Sequence, residues 1–404
     1  MSFPAERNVG VQDRATKNAA PIPPSERISS IDALRGIALF GVLAINLETA
    51  FRVSIFEDFI PATTDRGIDL AVDAFLYALF DLKAFALFSL LFGLGLALQY
   101  DRLDTNPRRA LLLVRRLIAL LAFGLIHLFL IWNGDILTEY AVVGLIVLPF
   151  LFGPKWLLGS AATACLLIYL AMPLLPPPVV FPGPAGITNL VHAANDVYGV
   201  GSFWQVLSFR ISEVRSIFPL HVFILPRTLG LFMLGAVIWR SGLVKHADLY
   251  SGRLWFAAVI LTAIGLAITL DTSARWYSGL PSLGRMDGVA TQAGTIILPL
   301  GYSALVLALG TIGGGRLLAW FEPLGRMAFT NYVIQSLLLG WIFYGYGLGL
   351  FGKIGPANGL VLVVVIYVGQ VLLSVWWLKR FRYGPLEWLW RAIMYGKRPR
   401  FRIA

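Results

Sequence analysis

Apolar residues run through this chain in long blocks rather than in alternation with polar ones. Blocks near 31–51, 74–100, 110–132, 137–153 and 156–175 are followed, after a gap, by blocks near 217–240, 254–271, 291–310, 327–350 and 357–378. A bilayer core takes about 20 apolar residues per helix, within a range of roughly 17–25. The pattern therefore predicts an all-α polytopic membrane bundle of about ten spans. The fourth block is short and the second long, so one of them is expected to be tilted or broken. Continuous runs exclude an outer-membrane barrel, whose strands alternate.

The segments between the blocks fix an expected topology. Short loops rich in Lys and Arg stay in the cytoplasm. With the N-terminus inside, the cytoplasmic loops hold Arg102, Arg108, Arg109, Lys155, Lys245, Arg253, Arg316 and Arg326. The first outer loop is acidic, with Glu57, Asp58, Asp65, Asp69 and Asp73 against Arg52 and Arg66. Both termini then lie inside. The expected organisation is a disordered cytoplasmic tail over 1–28, a five-helix bundle over 29–176, an outer loop with an interfacial helix over 177–216, a second five-helix bundle over 217–380, and a basic cytoplasmic tail over 381–404. Residues 1–28 lack the basic start, short apolar core and cleavage site of a removable signal peptide. In the outer loop, PLLPPPVVFPGP is too rich in proline to be helical. Residues 200–216 put Phe203, Val206, Leu207, Ile211 and Val214 on one face, as a surface helix would.

Composition agrees. The 404 residues are 58% hydrophobic and 14% charged, where a soluble domain carries about 25% charged residues. A soluble globule and a disordered chain are excluded. The single cysteine, Cys165, excludes an intrachain disulfide and any CxxC pair, and reads as a small buried hydrophobe. The net charge of +11 owes much to the C-terminal tail. Anionic inner-leaflet lipid is its expected partner, rather than nucleic acid. Together these features predict a multi-pass membrane protein. Its oligomeric state is not read from the sequence.

Polar residues inside apolar blocks are costly and are the candidates for function, with helix bridging as the alternative for each. In SSIDALRGIALFGVLAINLE, Ser29 and Asp32 have capping-box spacing, and Arg35 lies within ion-pair reach of Asp32. Arg35 and Asn46 share one helical face. Glu48 faces nearly the other way, and joins Asn46 only if the helix unwinds. In GLIHLFLIWNGDILTEY, His127 precedes a polar turn, Asn133 to Asp135, followed by Glu139 and Tyr140. A carboxylate beside a histidine makes a general base, so His127 and Asp135 are the candidate catalytic pair, with Asn46 as oxyanion donor. His221 and Arg227 lie between or beside Pro219 and Pro226. Arg326, Asn331 and Gln335 follow one another into the ninth block. Asp32, Arg35, Glu48, Glu139, Tyr140, His221, Arg227, Arg326, Asn331 and Gln335 are the candidate substrate-binding residues. Ser89, Gly93 and Ala97 form a small-residue packing stripe. No HExxH, GxSxG or P-loop occurs, and no metal site is expected.

Three blocks carry a resemblance: RISSIDALRGIALFGVLAINL, HLFLIWNGDILTEYAVVGLIVLPF, and PLGRMAFTNYVIQSLL with FRYGPLEWLWRAIMYGKR. In this order they resemble the YeiB-like family of bacterial inner-membrane proteins, whose domain is of unknown function. The first helix also resembles that of transmembrane acyltransferases such as heparan-glucosaminide acetyltransferase. That resemblance implies a cytoplasmic acyl-CoA as co-substrate, with no permanently bound cofactor. Asp32 and Arg35 would lie at the donor's entry, and Asn46 matches the functional asparagine. Those enzymes carry a catalytic histidine shortly after that asparagine; here Glu57 and Asp58 stand there, and the first histidine is His127. Either His127 replaces it or the chemistry is absent. Two functions are thus expected: an acyltransferase acting on a small-molecule or glycan acceptor at the outer face, or a small-solute transporter without chemistry.

Overall fold

The computed structural model describes residues 28–60, 67–278, 281–313 and 315–403. The tail expected over 1–28 falls outside them except for Ile28, as do Asp65 and Arg66. The described chain is helical, with one isolated antiparallel bridge, Phe381 to Arg402. In chain order the helices are α1 (Ser29–Asn46), α2 (Ile68–Leu79), α3 (Lys83–Arg102), α4 (Arg109–Ile126), α5 (Leu137–Phe152), α6 (Lys155–Ala171), α7 (Pro184–Tyr198), α8 (Phe203–Arg240), α9 (Ser251–Ser278), α10 (Arg285–Thr311), α11 (Gly315–Leu318), α12 (Glu322–Arg326), α13 (Ala328–Phe343), α14 (Pro356–Leu378) and α15 (Pro385–Tyr395). Two π-helical turns extend α1 and α4, over Leu47–Phe51 and His127–Ile131. Eight helical stretches among the described residues are long and apolar enough to cross a membrane, while α5 and α13 are shorter apolar helices. The protein is a multi-pass helical membrane protein.

The second block is broken, as its length suggested. α2 ends at Leu79 and α3 begins at Lys83, with Leu82 in the left-handed region at φ 54°. The ninth block is shorter than its apolar run. α13 stops at Phe343, and the glycine-rich segment after it folds back, with Leu348 N–H donating to Trp341 C=O (2.8 Å) and Phe351 N–H to Phe343 C=O (2.9 Å).

Two expected segments differ. The surface helix over 200–216 is the first part of the 38-residue α8, which runs on to Arg240. Its inward face is not the apolar stripe. It buries Arg210 and Glu213 beside Val206 and Ile217, while Phe203 and Ile211 stay exposed. Arg210 donates to the carbonyls of Ile131 and Leu130, and Glu213 accepts from Tyr198 Oη (2.6 Å) and Asn133 Nδ2 (2.7 Å). Polar bonding to the turn after α4 outweighs apolar patterning here. The basic tail expected over 381–404 is folded over its described residues, 381–403. α15 packs on α4 through Trp390 Nε1–H to Arg116 C=O (2.8 Å), and Arg382 N–H bonds Phe401 C=O (2.9 Å). Cys165 is half-buried rather than buried.

α1 is the most enclosed of the spans, and α6 and α9 the least. Helices meet where side chains are small. A Cβ on Gly93 of α3 would strike the backbone of Phe232 in α8, and one on Gly235 of α8 the backbone of Leu90 in α3. Backbone cannot move aside as a side chain can. Gly93→Leu is therefore expected to cost at least the roughly 1–3 kcal/mol typical of overpacking, seen as a lowered melting temperature in detergent. Gly369→Leu, where an added Cβ meets nothing within 4 Å, should melt like the wild type; equal losses would contradict this packing.

Candidate functional site

A cavity of about 1030 Å³ lies at the end of the bundle formed by residues 48–60, the start of α5 and the middle of α8. The π-helical turn after Asn46 departs from α-helical spacing, and Asn46 and Glu48 both line this cavity. Glu48 is held by Arg52 at 2.6 Å. Across from them, α5 presents Glu139 and α8 presents His221, Arg227 and Thr228. Glu139 Oε2 lies 2.9 Å from His221 Nδ1, and Oε1 accepts from Thr228 Oγ1 at 2.6 Å. The His221 side chain keeps 29% exposure while Glu139 keeps 8%. With Nδ1 engaged by the carboxylate, Nε2 is the nitrogen left for the cavity.

A smaller cavity, about 260 Å³, lies toward the other end, the one that carries Arg102, Arg326 and α15. Its wall holds Arg35, Arg102, Arg116, Arg326 and Arg391 against two carboxylates, Asp32 and Glu387. Both carboxylates are engaged. Asp32 Oδ1 lies 3.0 Å from Arg35 Nη1. Glu387 caps α13, accepting from Phe329 N (2.8 Å), Thr330 N (3.0 Å) and Thr330 Oγ1 (2.6 Å). Burial pushes its carboxyl up from the ordinary range, while these donors act the other way. The Arg116 guanidinium sits over the rings of Trp390 (4.7 Å) and Phe92 (5.2 Å). The cavity is basic, and a cation stacked on aromatic rings is held without being neutralised.

Ile136 and Tyr140 line both cavities. The Tyr140 hydroxyl donates to Phe85 C=O at 2.7 Å and lies 3.1 Å from Ser89 Oγ. A single layer around these two residues thus separates the basic cavity from the one holding the His221–Glu139 pair.

The candidate catalytic pair, His127 and Asp135, lines neither cavity. His127 is 1% exposed, with Nδ1 2.9 Å from Asp135 Oδ1 and Nε2 2.9 Å from Ser336 Oγ. Asp135 also caps α5, accepting from Leu137 N (3.1 Å) and Thr138 N (2.7 Å). Nε2 is hydrogen-bonded, Nδ1 lies against the Asp135 carboxylate, and the ring is closed off from the surface. The pair ties α4, α5 and α13 together and fixes the turn that aims Glu139 and Tyr140. Asn331 and Gln335 likewise line neither cavity. Asn331 Nδ2 donates to Ser374 Oγ (3.0 Å), and Gln335 Nε2 to Gln370 Oε1 (2.8 Å), joining α13 to α14. The capping box at Ser29 is not formed, because Ile28 is the capping position and Asp32 turns to Arg35 instead. Asp32, Arg35 and Arg326 line the basic cavity, and Asn46, Glu48, Glu139, His221 and Arg227 the larger one, with Tyr140 between. The sequence reading missed Arg116, Asp81 and Lys83, although charges inside apolar blocks were the signal for all three.

A family model described as a protein of unknown function (DUF418) matches residues 238–397. The uncharacterized protein YxaH of Bacillus subtilis (strain 168) is 34% identical over 405 residues, covering 93% of this chain and 96% of its own. YeiB of Escherichia coli (strain K12), also described as uncharacterized, is 30% identical over 389 residues, covering 91% and 96%. An uncharacterized 39.9 kDa protein encoded in the amylase 3' region of Bacillus acidopullulyticus is 30% identical over 387 residues, covering 94% and 96%. No solved structure matches the chain. None of these names states an activity, and the likeness to transmembrane acyltransferases rests on the first-helix residues alone. Near-full-length identity at this level means that the chain belongs to the DUF418 family that includes YxaH and YeiB.

Proposed function

We propose that the protein moves an acyl group across the membrane, from an acyl-CoA at the basic cavity to an acceptor hydroxyl or amine in the larger cavity. One observation carries this reading: an arginine-lined cavity and a cavity with a carboxylate-oriented histidine share the Ile136–Tyr140 wall. A charged carrier cannot cross lipid, but its acyl end has only that wall to pass. The basic-loop asymmetry supports a cytoplasmic face for the arginine-lined cavity, the side where acyl-CoA is made.

His221, oriented by Glu139, takes the acceptor's proton as its oxygen or nitrogen attacks the thioester carbonyl. Asn46 donates to the oxyanion. The C–S bond then breaks, and the proton on His221 returns to the leaving thiolate. His221 thus takes the role that the sequence assigned to His127.

Binding of CoA to the purified protein, followed by calorimetry, tests the donor side. Saturable binding that weakens with added salt supports the reading. No binding to folded protein at millimolar CoA contradicts it. A solute permease is the competing reading, favoured by the helix break at Phe80–Leu82, since discontinuous helices build transporter sites. It predicts solute flux without any release of CoA thiol.

A further inference from the structure

The break between α2 and α3 lies against the larger cavity, which Asp81, Leu82 and Arg227 line. Two cations are fastened to this break. Lys83 is 2% exposed and donates to Tyr77 C=O at 2.7 Å, closing the end of α2. Arg227 is 1% exposed and donates through Nη1 to Leu82 C=O at 3.2 Å. Its Nε has no hydrogen-bond partner among the described residues. Tyr169 lies under the guanidinium, 5.6 Å from its carbon, and fixes its plane.

Lys83 and Arg227 both lie close to Asp81, and Asp81 and Arg227 line the cavity beside the break. Two carboxylates of the cavity are engaged elsewhere, Glu48 by Arg52 and Glu139 by His221 and Thr228. A buried cation with an unused donor in a polar cavity calls for an anion. The guanidinium fork fits the two oxygens of a carboxylate or phosphate side by side. The positive end of α3, a 20-residue helix, lies at the same place.

We propose that Arg227, beside the start of α3, binds one carboxylate or phosphate group, so that the acceptor taken by the larger cavity is an anion. That the bound anion is an acceptor rests on the transfer reading above; the anion site itself does not. The group belongs either to a small soluble molecule or to a lipid headgroup.

The test uses purified full-length protein and matched probes: glucuronate against glucose, glycerol 3-phosphate against glycerol, and phosphatidylglycerol against phosphatidylcholine in mixed micelles. Thermal shift and calorimetry are read for each. The expected result is saturable binding of at least one anionic member with no binding of its neutral partner, and at least tenfold weaker binding by Arg227→Lys. Lysine keeps the charge but loses the fork. A soluble probe that binds identifies a soluble acceptor, and phosphatidylglycerol alone a lipid one. Equal binding of neutral and anionic partners overturns the proposal, as does anion binding unchanged in Arg227→Lys, or no anion bound by protein that still binds CoA. Where Arg227→Lys does not fold, the wild-type comparison of matched probes decides alone. Loss of CoA binding with the anion site intact would instead overturn the transfer reading and leave this site standing.

Discussion

His221→Gln is expected to abolish acyl transfer while leaving the protein folded. His221 lines the larger cavity, keeps 29% side-chain exposure, and is oriented by Glu139 at 2.9 Å. Glutamine keeps a donor for Glu139 and much of the volume, so the cavity wall should stand. It cannot take a proton. Removing a general base costs about 10²- to 10⁴-fold in rate. The same change at His127 should read differently. His127 is enclosed, with both nitrogens in contact with Asp135 and Ser336. His127→Gln breaks a buried polar network, which costs about 1–3 kcal/mol for each group left without a partner. Its effect belongs in the melting temperature and yield, with turnover per folded molecule largely kept. A His221→Gln enzyme that turns over normally, beside a well-folded His127→Gln enzyme that does not, would return the catalytic role to His127.

Arg35→Ala is expected to weaken CoA binding by about 10- to 100-fold, since a charge-assisted hydrogen bond contributes about 1.5–3 kcal/mol. Without ligand, Arg35 pairs with Asp32 three residues away, at 3.0 Å. Such a pair on a helix surface contributes only about 0.2–0.5 kcal/mol, so a phosphate displaces Asp32 easily. The loss should shrink as salt rises, because screening weakens the wild-type contact first. Asp32→Ala removes the competing carboxylate and should leave CoA binding unchanged or tighter. Calorimetry on the three proteins at two salt concentrations checks this. Equal affinity in wild type and Arg35→Ala would place the donor elsewhere.

Much of the fold was legible in the sequence because a bilayer leaves few choices. Apolar run length located the spans, and the unusual lengths of the second and fourth blocks marked one of them for a break, which falls in the second. The failures came where polar contacts decide. Arg210 and Glu213 turn the start of α8 inward because the carbonyls after α4 and the Asn133 amide are there to receive them, and no periodicity contains that information. α13 stops at Phe343 because a glycine-rich segment folds back on it, although the apolar run continues. The site was half legible. Arg35 and Asn46 on one stripe of α1 do point to the two cavities, one each. Spacing alone favoured His127 with Asp135, eight residues apart along the chain. The carboxylate partner of His221 is Glu139, from a distant helix, and only the packing of α5 on α8 brings the two together. Burial then separates the two histidines, enclosing His127 and leaving His221 on the wall of the larger cavity.

Release of CoA thiol by the reconstituted protein tests the central claim most directly. Acetyl-CoA is placed on one face of proteoliposomes and an extract of bacterial envelope, as acceptor source, on the other. The account predicts thiol release only when acetyl-CoA is on the face carrying Arg35 and Arg116, and loss of that release in His221→Gln. Release that is independent of the face or retained in His221→Gln, or no release at all from protein that binds CoA, would contradict it.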